Sequence, residues 1–431
     1  VYCIAEDPKK AGYLYCGTEF GIFFSSDSGK NWIQLKGGLP VICVRDIEIQ
    51  EQADDLVLAT FGRGFYILDD LHILRSLPET LEMSEIKTPE KPKAIIFPVE
   101  AYKIKTLATP LGHKGNSFQG ASLYSAENPP NGAILNWMMN QDVKSIKELR
   151  KDAEKENVKN NLPVKYPSKD SIRLENLQES PYLLVRISSE TGELVREFRE
   201  GAKKGLKKTV WDGRRASTGE VNFYTPDPDN PYDSGDLAAF VSPGKYSAQV
   251  YLMLDGKLES ISESKEIIIE GATKESGSKE QIEFRTEIEE MRRIVSGTVS
   301  YLDHLKNKLK YIKAAKVKDV SAQTTLQISV SALEKRIKEV EVAILGDRSI
   351  ARREFETLPG ISGRVDNIVY NWWSTTQAPS TTYKEQLKLI KDLFSPVYNE
   401  VKLIDSEIEK IETELEKQKA PATPGRLPEF K

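Results

Sequence analysis

The sequence predicts a multidomain chain in which β-sheet units precede an α-helical region, and three observations carry that expectation. Residues 14–23 read as strand, glycine turn, strand, and residues 56–66 repeat the pattern. From residue 101 to 270, short runs of strand-forming residues alternate with turn residues. Beyond Gly271, apolar residues recur at spacings of three and four, the period of an amphipathic helix. A chain of 431 residues is long for one domain and comfortable for three, each able to bury its own core.

The first element to justify is Ser25-Ser26-Asp27-Ser28-Gly29-Lys30-Asn31-Trp32, set between two strand-forming runs. Ser25 and Asp27 carry short oxygen-bearing side chains that bond back to turn amides. Gly29 takes the positive φ that closes the hairpin, and Trp32 packs against it. This Ser-x-Asp-x-Gly-x-x-Trp turn resembles the Asp-box of bacterial-neuraminidase-repeat β-propellers. That sortilin-like group includes sialidases and exported proteins called glycosyl hydrolases by similarity. The copies Leu14-Tyr15-Cys16-Gly17-Thr18 and Leu56-Val57-Leu58-Ala59-Thr60 lie about one blade apart, at the roughly 40-residue spacing of such repeats. Asp7-Pro8 before the turn and Gly62-Arg63-Gly64 after it are similar to the last blades of the family.

The resemblance continues more weakly. Trp211-Asp212-Gly213 with Pro243-Gly244-Lys245-Tyr246 looks like the Ig-like domain of flagellar hook-assembly proteins, and residues 421–428 look like the tail of the same exported proteins. It implies the terminal blade or blades of an Asp-box propeller at 1–78, a linker at 79–100 and an Ig-like β-sandwich at 101–272. An antiparallel helical bundle at 276–418 and a tail at 419–431 complete the order. The chain opens on Val1-Tyr2-Cys3, already inside a strand. The remaining blades and a signal peptide are therefore expected upstream, with the whole secreted, periplasmic or at the cell surface.

In the middle region, strands are expected at 101–106, 132–139, 182–187, 194–198, 207–211, 244–254 and 266–269. Gly192 and Asp255-Gly256 mark hairpins. A polar insertion near 142–170 is expected to carry a short helix. In the C-terminal third, Ile288, Met291, Val295, Val299, Leu302, Leu305, Leu309 and Ile312 form one stripe, and residues 326–344 carry a second. The third runs unbroken from Tyr383 to Leu415, with Pro396 as an expected kink.

Composition excludes some classes. The net charge is −4, from 61 basic and 65 acidic residues, so no overall basic field attracts nucleic acid or an anionic membrane. No apolar run reaches the length of a membrane span. Cys3, Cys16 and Cys43 lack the spacing of a zinc site or disulfide framework. They read as small strand residues, with a bridge between neighbouring strands as the alternative. His72, His113 and His304 are scattered and support neither a zinc triad nor a nucleophile–base pair.

Sialidase-like catalysis requires several arginines, a Tyr/Glu pair and an aspartate acid/base drawn from different blades. Arg45 and Arg63 cannot supply that set, so no catalytic residue is expected. Arg63, Arg45 and Glu19 are candidates for ligand binding at the propeller face, with a solvated or ion-paired rim as the bland reading. Trp372 and Trp373 are candidates for bundle packing or for stacking a sugar ring. Asp227, Asp229, Asp233 and Asp236 form an acidic loop able to offer oxygen ligands to calcium, though not at EF-hand spacing. No other cofactor is expected.

These readings favour a non-catalytic binding or scaffold portion of an envelope protein. The alternative is the ring-closing, accessory portion of a glycan-acting hydrolase whose active site lies upstream. A third reading makes the helical bundle an assembly element.

Overall fold

The computed structural model describes residues 1–76, 93–105, 130–225, 227, 238–273 and 276–430. It is mixed β and α, and divides into two compact units. The first comprises Val1–Ala101, Ala133–Trp211 and Lys245–Ile268; the second comprises Tyr102–Gly132, Asp212–Gly244 and Ile269–Lys431.

The first unit opens with two antiparallel sheets. Strands β1 (Cys3–Glu6), β2 (Leu14–Thr18), β3 (Gly21–Ser25) and β4 (Ile33–Gln34) form one in that order; β5 (Val44–Gln50), β6 (Asp55–Thr60) and β7 (Phe65–Leu68) form the other. Residues directly opposite in an antiparallel pair share a face. Tyr15 lies opposite Phe24, and Gly17 opposite Ile22, so these four make one face of the first sheet. Leu58 lies opposite Ile47 and Tyr66, and Leu56 opposite Ile49, which makes one face of the second. The two faces meet, and Tyr15, Ile22, Phe24, Val44, Ile47, Leu56 and Leu58 form a continuous core. Gly17 is required at this junction. A Cβ there would fall 2.5 Å from Cys3 Sγ and 2.9 Å from the Val44 carbonyl oxygen.

The unit continues through β8 (Ala94–Ile96), and after β9 (Tyr102–Lys103, in the second unit) through β10 (Ala133–Met139). It includes β11 (Tyr182–Ser189), β12 (Leu194–Gly201) and β13 (Gly205–Trp211), then β14 (Gly244–Leu254), β15 (Lys257–Ser260) and β16 (Lys265–Glu270). One sheet runs β13-β10-β8. In another, β12, β11, β14 and β16 are successive neighbours, with β15 on β14. Trp137 is fully buried and donates from Nε1 to Thr209 Oγ1 at 3.0 Å, so its polar atom is satisfied inside the core. Trp211 is equally buried and meets Tyr246 edge-on at 5.2 Å.

Two helices, α1 (Ile146–Lys159) and α2 (Lys169–Leu177), stand where one short helix was expected. Ser145 and Glu148 form a reciprocal capping box at the start of α1, which specifies that end locally. Arg150 joins the helices through a two-pronged pair with Glu175.

In the second unit, β9 pairs in parallel with Ile269 and Glu270 of β16. Its bulk is helical: α3 (Lys279–Ala314), α4 (Val320–Leu345), the short α5 (Arg348–Ala351), α6 (Ile361–Trp372) and α7 (Thr381–Lys417). Ser278, Asp319 and Ser380 cap α3, α4 and α7 by accepting a backbone N–H of the first turn. The predicted stripe on α3 is the buried one, from Ile288 through Ile312, with Val299 half-buried at its edge. Burial of each such Leu or Ile contributes about 1.5–3 kcal/mol. Helix α7 continues through Pro396 over 37 residues. Gly360, at the start of α6, permits a close approach to the end of α4. A Cβ there would lie 2.4 Å from the Gly346 nitrogen and 2.5 Å from the Ile344 carbonyl oxygen.

Candidate functional site

The strand register sorts the functional candidates between the two ends of the sheet pair. Cys3 pairs with Gly17, so the start of β1 adjoins the β2–β3 turn, which carries Glu19 and Phe20. Val44 pairs with Thr60, so the start of β5 adjoins the β6–β7 turn, which carries Phe61 and Arg63. Arg45 joins these sets. Its guanidinium lies 4.2 Å from the Tyr2 ring centroid and 5.4 Å from that of Phe61, a cation–π arrangement on both rings. Glu19, Arg45 and Arg63 thus share one end with exposed Tyr2, Phe20 and Phe61. Arg63 is exposed and forms no ion pair with Asp69 or Asp70; Asp70 instead accepts from Asn136 Nδ2 at 2.9 Å.

The opposite end is saturated. Ser25 Oγ accepts from the Gly29 N–H at 2.9 Å and donates to Asp27 Oδ1 at 2.8 Å. Asp27 accepts from the Asn31 backbone at 2.9 Å and from its side chain at 2.7 Å, and Trp32 Nε1 donates to the Gly29 carbonyl at 2.9 Å. Gly29 has φ +84°, as the turn requires. The Asn31 backbone bond, its side-chain bond and the Ser25 hydroxyl hold the Asp27 carboxyl at about 2, so it stays ionised and is a poor proton donor.

Beside this turn lies a buried ionic lock that joins the sheets. Arg75 Nε donates to Asp7 Oδ2 at 2.8 Å, while Nη1 donates to both Asp54 oxygens at 2.8 and 2.7 Å. Lys9 Nζ also reaches Asp54 at 2.8 Å, and Tyr15 Oη donates to Asp7 at 3.2 Å. Asp7 and Asp54 are buried, so the two carboxylates are matched by one guanidinium and one ammonium. Burial alone would raise the Asp54 carboxyl, but hydrogen bonds from Arg75 and Lys9 outweigh it and hold it below the usual range. Both carboxylates are engaged by Arg75, Lys9 and Tyr15, which suits joining sheets, while Arg75 Nη2 is buried without a hydrogen-bond partner.

The remaining candidates are dispersed. Trp372 is buried, edge-on to Phe284 at 4.9 Å, and donates to the Gln377 carbonyl at 3.0 Å. Trp373 is buried, with the Arg292 guanidinium 5.1 Å from its ring and its carbonyl accepting from Arg214 at 3.1 Å. Both rings are therefore used in packing. Asp227 is exposed; Asp229, Asp233, Asp236 and His113 lie outside the described residues. Among the described residues no three His, Cys, Asp or Glu side chains converge as a metal site requires. The three cysteines are free thiols, and burial raises Cys16 and Cys3 above the ordinary range. His72 Nδ1 stands 3.9 Å from Asp54, and His304 packs beside Tyr301.

Sequence reasoning missed the lock. Asp7 stood out only beside Pro8, and neither Asp54 nor Arg75 lies in a motif. The available signal was Asp54 itself, an acid in the β5–β6 turn with φ +60°, a conformation Asp tolerates. Among the described residues no helix is long and apolar enough to cross a membrane. No family model matches the chain, and no curated protein matches it either.

Proposed function

We propose that this chain is a non-catalytic binding and scaffold portion of an exported envelope protein. Its paired sheets are the terminal blades of an Asp-box propeller, followed by an Ig-like sandwich and a helical bundle that act as spacer or dock. Further blades of the same ring are its first partners. The ligand-binding surface is the end bearing Arg45, Arg63 and Glu19, and the ligand is an anionic group, a carboxylate on a glycan or on a partner protein.

The observation that supports this reading is the contrast between the two ends. One is closed by the Asp27 turn and the Arg75 lock; the other presents two arginines among exposed aromatic rings. An arginine held against rings keeps its N–H fork along the edge, where a carboxylate can accept two bonds. Aryl glycosides, including an aryl sialoside, test the absence of turnover with the full-length polypeptide. The expected result is no hydrolysis above buffer, together with binding of sialyllactose or an acidic peptide that Arg45→Ala and Arg63→Ala weaken about tenfold each. Turnover abolished by replacing one carboxylate of an upstream blade would overturn the non-catalytic reading and favour a hydrolase.

A further inference from the structure

Helices α3 and α7 are joined by a ladder of ion pairs that is interrupted in the middle. Glu280 pairs with Lys384, Glu287 with Lys391 and Lys308 with Glu412, each 104 residues from its partner. The two helices therefore run parallel and in step. The same offset sets Ile294 beside Tyr398 and Tyr301 beside Asp405, so no salt bridge among the described residues closes the seam between the second and third pairs. A groove of about 470 Å³ opens there, over Ile294, Gly297 and Val401 and flanked by Tyr301, Tyr398 and Lys402.

Gly297 makes this opening. A Cβ there would meet nothing within 4 Å, so packing does not call for glycine, and glycine inside a helix is less stable than alanine. What its bare backbone secures is depth in the groove. The rings on either side are held in place, since His304 lies 5.7 Å from Tyr301 and Phe394 lies 5.6 Å from Tyr398. Both tyrosines are nonetheless exposed. Tyr398 is level with Ile294, so the two tyrosines stand about 10 Å apart along the seam at the rise of an α-helix. A polyproline II helix advances about 9 Å per turn of three residues. One such turn spans the distance from ring to ring, and Gly297, between them, leaves room for the residues in the middle.

The polar groups agree with this occupant. Lys402 Nζ lies 4.5 Å from the Tyr398 ring centroid and, among the described residues, has no carboxylate partner; the Tyr398 hydroxyl has no hydrogen-bond partner. Asp405 already accepts from the Tyr301 hydroxyl, which burial and that bond push up to about 12 and so keep protonated. The unspent groups are therefore donors. A polyproline II segment presents bare carbonyl oxygens and, at each proline, no N–H, whereas the hydroxyls of a sugar would need acceptors as well.

We infer that the groove between α3 and α7 docks a proline-rich segment of a partner protein in polyproline II form. Prolines one turn apart would lie against Tyr301 and Tyr398, and a backbone carbonyl between them would accept from Lys402. The groove lies wholly within the helical unit and is independent of the Arg45 end of the sheets.

Isothermal titration calorimetry of the whole chain with decaproline should show saturable one-to-one binding, and a glycine–serine peptide of equal length should show none. Gly297→Leu should fold at least as stably as the wild type, because its side chain enters open space on a helix, as thermal melts would verify. It should nevertheless weaken decaproline binding at least about tenfold by filling the groove. Lys402→Met keeps an apolar stem over the Tyr398 ring but removes the donor, and should weaken binding about tenfold. Arg45→Ala should leave decaproline binding unchanged, which separates this outcome from the assay of the sheet end. No binding of decaproline, equal binding of the glycine–serine peptide, or binding that survives Gly297→Leu would overturn the inference. So would cellobiose that binds in place of decaproline and is lost in Gly297→Leu.

Discussion

The stacked sheets and the helical region handle charge in opposite ways. The sheets bury two aspartates and satisfy them with one arginine and one lysine, drawn from segments up to 68 residues apart. The helices keep a largely apolar interior and set most of their ion pairs toward the outside, as in Lys391–Glu287, Lys313–Glu334 and Arg336 with Glu400 and Glu407, with Lys308–Glu412 as a more shielded pair. A two-sheet contact offers few apolar side chains, so a directional ionic junction fixes how the sheets meet. A bundle with a continuous stripe on three long helices needs no such device. Stability in the first case is concentrated at one point, and in the second it is spread.

The strongest way to break the comparison is at that point. Arg75→Met should destabilise the sheet pair by about 3–5 kcal/mol, because it strands two buried carboxylates. Urea unfolding followed in the first unit would measure it, and a loss no larger than that of a surface pair would refute the contrast. Acid attacks the same region. Asp54 and Asp27 both titrate below their unfolded values in the folded chain. Their contribution is present above about pH 4 and fades as pH falls through the folded values, about 2 for Asp27. Thermal melts over that window should show the sheet signal weakening, and Asp27→Asn should flatten part of the dependence.

Smaller effects come from two glycines with opposite surroundings. Gly17→Ala should cost about 1–3 kcal/mol, since the added methyl meets Cys3 Sγ and the Val44 carbonyl oxygen at the sheet junction. Gly297→Ala, within α3, should instead stabilise by about 0.5–1 kcal/mol, because its methyl would meet nothing within 4 Å and alanine favours helix. Equal signs in thermal denaturation would erase the distinction between a glycine required by packing and one that is not.

What the sequence made legible follows from the range of each interaction. The stripe from Ile288 to Ile312 predicted the buried side of α3, because helical period and burial are both local. The Ser25–Trp32 turn was equally readable, since its side-chain bonds fall within five residues, although the Ser28 N–H also donates to the Gly12 carbonyl. The lock was not. Asp7, Asp54 and Arg75 acquire a role only when two sheets meet, and no spacing announces it. The shared end of Glu19, Arg45 and Arg63 was half legible: the residues were candidates, but their convergence required the strand register. Trp372 and Trp373 read as candidates for bundle packing or for stacking a sugar ring. Both are buried, since α6 ends there and the chain turns around them.

The position of Arg75 also bears on the order in which the chain is made. Asp7 and Asp54 leave the ribosome before their arginine does, so a nascent chain ending short of residue 75 would have to hold two carboxylates together with only Lys9 between them. The sheets can form locally in that interval, but they gain little by closing on each other. Arg75 supplies the cation that matches both carboxylates, so closure of these two sheets on each other waits for a residue that follows both of them.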